Sequence, residues 1–162
     1  MRSIHFFLFA LLASTALVAG SASAGAQDQI NQIMASQEAP FGIVFEIVEA
    51  DDDALQWAIP EVNRYVQQLR ERFPEIGLAV VSHGTEQFGL MKSRQEENAP
   101  VHQIVQSLLA SDVPVAVCGT HASWRNKNAG DFPDYVDVAP SGPAEISNYQ
   151  DMGYELVVLE LP

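Results

Sequence analysis

Short apolar runs alternate along the chain with longer amphipathic stretches, as expected for strands separated by helices. Five runs are rich in β-branched and aromatic residues and predict strands, over residues 41–48, 76–82, 113–117, 136–139 and 154–161. Most of these runs are apolar at successive positions, which indicates strands that are buried on both faces. The pattern therefore predicts an α/β domain in which helices cover both sides of a largely parallel sheet.

The stretches between these runs predict helices. They cover residues 27–37 (an N-terminal arm or short helix), 60–72, 88–93, 101–110, 120–126 and 142–153. Pro60 suits the first turn of the long helix, Thr120 is expected to cap a short helix, and Gly153 is expected to end the last one. In the fourth of these stretches, the residues expected to face inward are Ile104, Val105, Leu108 and Leu109.

The N-terminal residues resemble an export signal. Arg2 supplies a short positive region, residues 4–18 are almost continuously apolar, and small residues follow, so that cleavage is expected after Ala24 or Ala26. The apolar run is short for a membrane span, and an uncleaved anchor is the alternative. The predicted organisation is a signal peptide at residues 1–24, an N-terminal arm at 25–40 and a domain at 41–162, in a protein of the periplasm.

Composition restricts the partners. The chain has 21 acidic and 8 basic residues, and its formal net charge of −13 becomes −14 without Arg2. This balance disfavours nucleic acid as a partner, and also an anionic membrane surface once the signal is cleaved. A single cysteine, Cys118, cannot form an internal disulfide. It is therefore a buried core residue, an intermolecular link or a reactive thiol.

Sites in parallel sheets form where the strands end. Three loops follow predicted strands there, at residues 83–86, 118–121 and 140–142. Cys118 precedes a predicted helix start, which favours the thiolate, and an imidazole of His83 or His121 could accept its proton. The candidate catalytic residues are thus Cys118, His83 and His121, and the candidate ligand-binding residues are Gly84, Gly119, Thr120 and Ser141. The alternative is that Cys118 only fills the end of a core strand.

Other chemistries find less support. Cys118, His121 and His83 could hold copper or zinc, but a fourth ligand at a recognisable spacing is missing, so no metal and no cofactor are predicted. No glycine-rich phosphate loop follows the first strand, and no G-x-S-x-G motif occurs, which disfavours dinucleotide enzymes and ordinary hydrolases. His102 is expected to be solvated. Trp124 is expected in packing or at a subunit interface, or beside Cys118 as the wall of a pocket.

Four segments, in order, resemble the DsrE/DsrF-like family of sulfur oxidation and sulfur relay proteins. They are residues 80–84 (VVSHG), 113–120 (VPVAVCGT), 138–146 (VAPSGPAEI) and 149–154 (YQDMGY). The resemblance extends from about Phe41 to Leu161, and its most specific part is the P-S-G-x-A-E segment with the Q and G-Y that follow. The family members that relay sulfur carry it as a persulfide on a cysteine just after the third strand, which Cys118 matches.

The resemblance implies a three-layer α/β/α fold with a five-stranded sheet of order 4-3-2-1-5, and homo-trimers or homo-hexamers. It also implies a sulfurtransferase-like sulfur carrier whose partners are a sulfur donor or acceptor protein or a small sulfur compound. Two features differ from the family: residues 119–127 (GTHASWRNK) lack the usual pair of arginines, and the relay members are cytoplasmic. The alternative function is a non-catalytic oligomeric module that binds a small ligand or metal, with Cys118 as a ligand or core residue. A structural oligomer with no chemistry is a third possibility.

Overall fold

The fold was examined in a computed structural model that describes residues 25–160; the predicted signal peptide at residues 1–24 lies outside this range. The strands are β1 (Gly42–Ile47), β2 (Gly77–Ser82), β3 (Val115–Cys118), β4 (Asp137–Ala139) and β5 (Tyr154–Leu159). The helices are α1 (Ala26–Ala35), α2 (Leu55–Arg72), α3 (Ala99–Ala110), α4 (Gly119–Trp124) and α5 (Gly142–Asp151). All five predicted strands are confirmed, and so is the predicted N-terminal helix.

The five strands form one sheet of order β4-β3-β2-β1-β5, in which every pair is parallel. The expected fold class and strand order are therefore confirmed. The register pairs Ile47 with Ser82 and Ser82 with Val117, so β1, β2 and β3 end at one level. Their carboxyl ends consequently form a single edge, where the three loops chosen from the sequence meet.

The two faces of the sheet are covered unequally. Phe45 and Ile47 of β1 belong to a large core with residues of α1, α2 and α3, whereas Val44 belongs to a smaller cluster that includes Ile146 of α5. Alternation along the strands explains the division, because successive side chains point to opposite faces. No helix within residues 25–160 is long and apolar enough to cross a membrane.

The long helix begins earlier than predicted. Helix α2 starts at Leu55 rather than at Pro60, which lies inside it. Leu55 and Ile59 are fully buried, so the first turns already contribute to the core. Pro60 lacks the N–H that would bond to the carbonyl of Gln56, and its ring crowds that carbonyl, but burial of the helix face offsets this cost.

Two other details differ from the prediction. The segment expected to be helical at residues 88–93 forms two 3₁₀ helices, Thr85–Leu90 and Lys92–Arg94. The first begins at Thr85 because the preceding loop is held by the buried carboxylate of Glu86. In α3, Leu109 is 40% exposed rather than inward, because the buried side repeats through Val101, Val105 and Leu108.

His102 is buried rather than solvated. Its Nε2–H donates to the carbonyl of Gly89 over 3.2 Å, and Nδ1 accepts from the hydroxyl of Tyr135 over 2.7 Å. Gln95 donates in turn to the Tyr135 oxygen. Burial lowers the pKa of His102 below its ordinary value, and the bond to Gly89 only partly opposes this effect.

Stability should therefore fall in mild acid. Below the ordinary imidazole pKa of about 6.5 the unfolded chain binds a proton that the folded chain resists, so the free energy of unfolding decreases as pH falls. We expect urea unfolding to show lower stability at pH 5.5 than at pH 7.5. His102→Gln should lose about 1–3 kcal/mol at pH 7.5 and show a smaller decrease in acid. An unchanged pH dependence in the variant would contradict this assignment.

Candidate functional site

A cleft of about 620 Å³ opens at the carboxyl edge of the sheet. Six of the seven residues chosen from the sequence line it: His83, Gly84, Cys118, Thr120, His121 and Ser141. The seventh, Gly119, does not line the cleft, because it packs against β4, where a Cβ would lie 3.0 Å from the carbonyl oxygen of Ala139. The loops after β2, β3 and β4 thus meet as the topology predicts.

Cys118 ends β3 and caps the helix that follows. Its Sγ accepts the backbone N–H of His121 over 3.4 Å, so the cysteine is the N-cap residue of α4. The predicted cap by Thr120 is wrong, because the Thr120 hydroxyl donates instead to the carbonyl of Pro140 over 2.7 Å. The Cys118 side chain is largely buried, with 5% exposure, and still contributes to the cleft.

His83 forms a carboxylate–imidazole pair with Glu46 of β1. The distance from His83 Nε2 to Glu46 Oε1 is 2.6 Å, and both side chains are mostly buried. Since a carboxylate accepts, Nε2 carries the hydrogen and Nδ1 is left as the acceptor. Sequence analysis missed Glu46, although a lone acidic residue in the apolar run FGIVFEIV was a signal for it.

Gly142 allows His83 and Cys118 to come close together. A Cβ at position 142 would lie 2.5 Å from the Cβ of His83 and 3.3 Å from that of Cys118. The Cβ atoms of His83 and Cys118 are therefore within about 6 Å of each other. Among the hydrogen bonds of the described residues, none joins the His83 ring to the Cys118 sulfur. His83 is a neighbour of the thiol rather than its hydrogen-bond partner.

The ring of His121 is held by three contacts. Its Nδ1–H donates to the carbonyl of His83 over 2.9 Å, which leaves Nε2 as the acceptor. The rings of Phe88 and Trp124 pack against it, with centroids at 5.3 and 5.4 Å. Trp124 is 74% exposed and lines the cleft, so it forms part of the pocket wall rather than of the core.

Two buried polar residues of the 3₁₀ helix after β2, Glu86 and Gln87, form hydrogen bonds that fix the loops of the site. The carboxylate of Glu86 accepts from the Ser82 hydroxyl and from the N–H groups of Gly84 and Glu49, over 2.7 to 2.9 Å. It thereby joins the loops after β1 and β2. The amide oxygen of Gln87 accepts the N–H of Cys118 over 2.7 Å, and its buried Nε2 has no hydrogen-bond partner among the described residues. Sequence analysis missed both.

Ser141 has a structural role as well as its place in the cleft. Its hydroxyl accepts the N–H of Ala144 over 3.5 Å and caps α5. Within residues 25–160, no group of three or more histidine, cysteine, aspartate or glutamate side chains has the arrangement of a metal site. The cleft holds one thiol and two imidazoles, a set that can support nucleophilic chemistry with proton transfer.

Comparison with known proteins shows the fold. No family model matches the chain, and no curated protein matches it. A solved structure described as the protein of unknown function MTH1491 from Methanobacterium thermoautotrophicum is similar, with a TM-score of 0.58 and 20% identity, covering 73% of this chain and 98% of that one. The ychN protein from E. coli gives a TM-score of 0.54 and 16% identity, covering 73% and 99%.

At these identities the likeness concerns the fold alone. Both matches support the α/β fold with a five-stranded parallel sheet. The fold class and strand order that the resemblance implied are therefore confirmed. The role of Cys118 has to be argued from its surroundings.

The Glu46–His83 pair leads to a prediction. Glu46→Gln should lower the rate of Cys118 alkylation by iodoacetamide at pH 7, because the imidazole loses the carboxylate that fixes its orientation and tautomer. A loss of roughly tenfold corresponds to about 1.4 kcal/mol. Glu155→Gln is the matched control, since this exposed carboxylate of β5 does not line the cleft. If Cys118 is alkylated as fast in Glu46→Gln as in Glu155→Gln, the Glu46–His83 pair does not act on the thiol.

Proposed function

We propose that this chain is an exported, DsrE-like carrier of sulfane sulfur that holds the sulfur as a persulfide on Cys118. One observation carries the proposal: the Cys118 sulfur lies in a cleft at the carboxyl edge of the sheet, accepts an amide N–H, and has His83 and His121 beside it. The amide N–H of His121 points at the sulfur and holds it in a fixed position in the cleft. The DsrE-like fold supports the same assignment.

The proposed transfer needs no cofactor. A nearby imidazole accepts the thiol proton, and His83 is suited to this because Glu46 holds its Nε2–H and leaves Nδ1 as the acceptor. The thiolate attacks the outer sulfur of a donor persulfide, forming an Sγ–S bond while the donor's S–S bond breaks. The donor leaves as a thiolate. An acceptor thiolate removes the sulfur by the same exchange in reverse, and Cys118 is regenerated.

The alternative function, a non-catalytic binding module, has one observation in its favour. Cys118 is largely buried, as a core residue would be. The contact of its sulfur with the His121 amide and its place in the cleft fit a reactive thiol better than a filler. A metal-binding variant of this alternative gains no support from the described side chains, among which no three-residue ligand group occurs.

The proposed export is consistent with where α1 begins. Gly25 is the N-cap of α1, and its carbonyl accepts from the N–H groups of Asp28 and Gln29. Cleavage after Ala24 keeps this cap, whereas cleavage after Ala26 removes it together with the first helical residue. We therefore favour Ala24 as the cleavage position. Assembly into homo-trimers or homo-hexamers belongs to the proposal as well, because the family resemblance implies it.

Sulfur loading tests the proposed function. After incubation with inorganic polysulfide and removal of excess reagent, we expect the intact mass of the purified protein to increase by whole sulfur atoms, with the added sulfur removed by dithiothreitol. Cys118→Ser is the matched control and should gain none. A wild-type thiol that takes up neither sulfur nor iodoacetamide in the folded state would defeat the proposal and leave Cys118 as a core residue.

Export is tested separately. When the full chain is expressed in a Gram-negative host, we expect the protein in the periplasmic fraction with Gly25 as its N-terminal residue. Replacing Ala22 and Ala24 with bulky residues should cause the uncleaved precursor to accumulate, because the small side chains before the cleavage position would be lost. A cytoplasmic protein that retains residues 1–24 would contradict export.

A further inference from the structure

We propose that the cleft takes its sulfur from an uncharged sulfane, with ring-form elemental sulfur as the simplest member, rather than from an oxyanion such as thiosulfate. This inference rests on the proposed function and specifies the substrate class of the same site. Three properties of the cleft support it: most of its amide donors are already used, it has no lysine or arginine lining among the described residues, and its walls are largely apolar.

Most backbone donors of the cleft are occupied within the protein. The N–H group is already bonded in seven lining residues, which are Glu49, His83, Gly84, Thr85, Cys118, Thr120 and His121. Their acceptors are the buried Glu86 carboxylate, the Gln87 amide oxygen, three backbone carbonyls and the Cys118 sulfur itself. An oxyanion in a protein is normally held by several converging N–H groups, and these ones are not available to it.

The start of α5 does not supply the missing donors. Pro143 lines the cleft at this helix start and has no N–H group. The N–H of Ala144, the residue after it, points to the hydroxyl of Ser141. A helix start is usually a binding site for anions because its amides are unpaired, and in this case the proline ring and the cap reduce that capacity.

Charge also acts against an oxyanion. No lysine or arginine lines the cleft within the described residues, whereas Glu49 does. Arg125 reaches the rim by donating to the Thr85 hydroxyl, but its guanidinium lies 3.5 Å from the Asp52 carboxylate and 4.5 Å from the ring centroid of Phe88. With a formal net charge of −13 on the chain, a divalent anion meets a repulsive field on approach.

An uncharged sulfane has none of these difficulties. The mouth of the cleft exposes Trp124 by 74% and Val48 by 47%, and Ala50 and Pro143 extend this apolar surface. Sulfur rings and chains are polarisable, need no hydrogen bonds and pack well against aromatic rings. The volume of about 620 Å³ lies within the range of small-ligand pockets.

The reaction with elemental sulfur balances without a further reactant. An imidazole takes the proton of Cys118, and the thiolate attacks one sulfur of the ring. One Sγ–S bond forms and one ring S–S bond breaks, so that the opened chain stays attached and ends in a sulfur anion. The cysteine sulfur is oxidised and the terminal sulfur of the chain is reduced. An acceptor thiolate can then remove the chain, or shorten it by attacking an inner sulfur.

The first test compares two donors at pH 8. The purified protein is incubated with dispersed elemental sulfur or with thiosulfate, and the sulfur bound to Cys118 is read from the intact mass, with Cys118→Ser as control. N-acetylcysteine under the same conditions corrects for the intrinsic reactivity of each donor. We expect the ratio of loading from elemental sulfur to loading from thiosulfate to be at least about tenfold higher for the protein than for N-acetylcysteine. Equal or greater loading from thiosulfate, after this correction, overturns the inference but leaves the proposed function standing. Loading from neither donor overturns the inference, and the proposed function then depends on whether polysulfide loads Cys118.

A second test changes only the charge of the reagent. Iodoacetamide and iodoacetate alkylate thiols by the same chemistry, and only iodoacetate is anionic. We expect the iodoacetamide rate divided by the iodoacetate rate to be about tenfold larger at Cys118 than for N-acetylcysteine. Val48→Arg should bring the ratio back towards that of the free thiol, because it places a cation at an exposed position of the cleft, and Val48→Gln is the uncharged control. A wild-type ratio equal to that of the free thiol overturns the inference.

Discussion

Parallel pairing in a common register is the constraint on which the remaining architecture depends. Because β1, β2 and β3 end at one level, side chains distant in the chain become neighbours at a single edge. The alternation of side chains then decides which residues share a face. Glu46, His83 and Cys118 follow Val44, Val81 and Ala116 on the side covered by α5. That side carries the smaller of the two hydrophobic clusters, and the cleft opens where α5 begins.

A buried polar cluster keeps this edge in place. The Glu86 carboxylate is fully buried, and its three donors come from the last residue of β2 and from the loops after β1 and β2. A buried charge is tolerated only when it is well paired, so the loops are held in the arrangement that satisfies it. Gln87 extends the cluster to the backbone of Cys118. The resulting rigidity fits a site whose thiol must face the cleft at a constant position, and it also occupies the amides that an anion would otherwise use.

If the protein is exported as we propose, its thiol works in an oxidising compartment. A fully exposed cysteine there is readily oxidised or drawn into mixed disulfides. The low exposure of Cys118, beside the start of α5, limits access to reagents that fit the cleft. The proposed preference for an uncharged sulfur source follows from the same shielding, because the groups that enclose the thiol are apolar, acidic or already hydrogen-bonded.

The sequence was sufficient for the class of fold, the five strands and the loops in which the site lies. These features depend on local patterns: apolar runs between turn residues, and the rule that parallel sheets place sites at strand ends. The family resemblance added the strand order. Tertiary structure decided the details that depend on contacts between distant residues. Among them are the pairing of Glu46 with His83, the burial of His102 behind Tyr135, and the start of α2 before Pro60.

The roles of Cys118 and Glu86 show the physical reason for this division. In the sequence, Cys118 precedes a helix and Glu86 stands in a polar loop, and neither position shows which groups surround it. Whether a sulfur caps a helix, or a carboxylate is buried with three donors, depends on which loops the sheet register brings together. Such contacts join residues that are far apart in the chain. The hydrophobic pattern determined that these residues meet at one edge, and only the folded structure determined how their polar groups are paired.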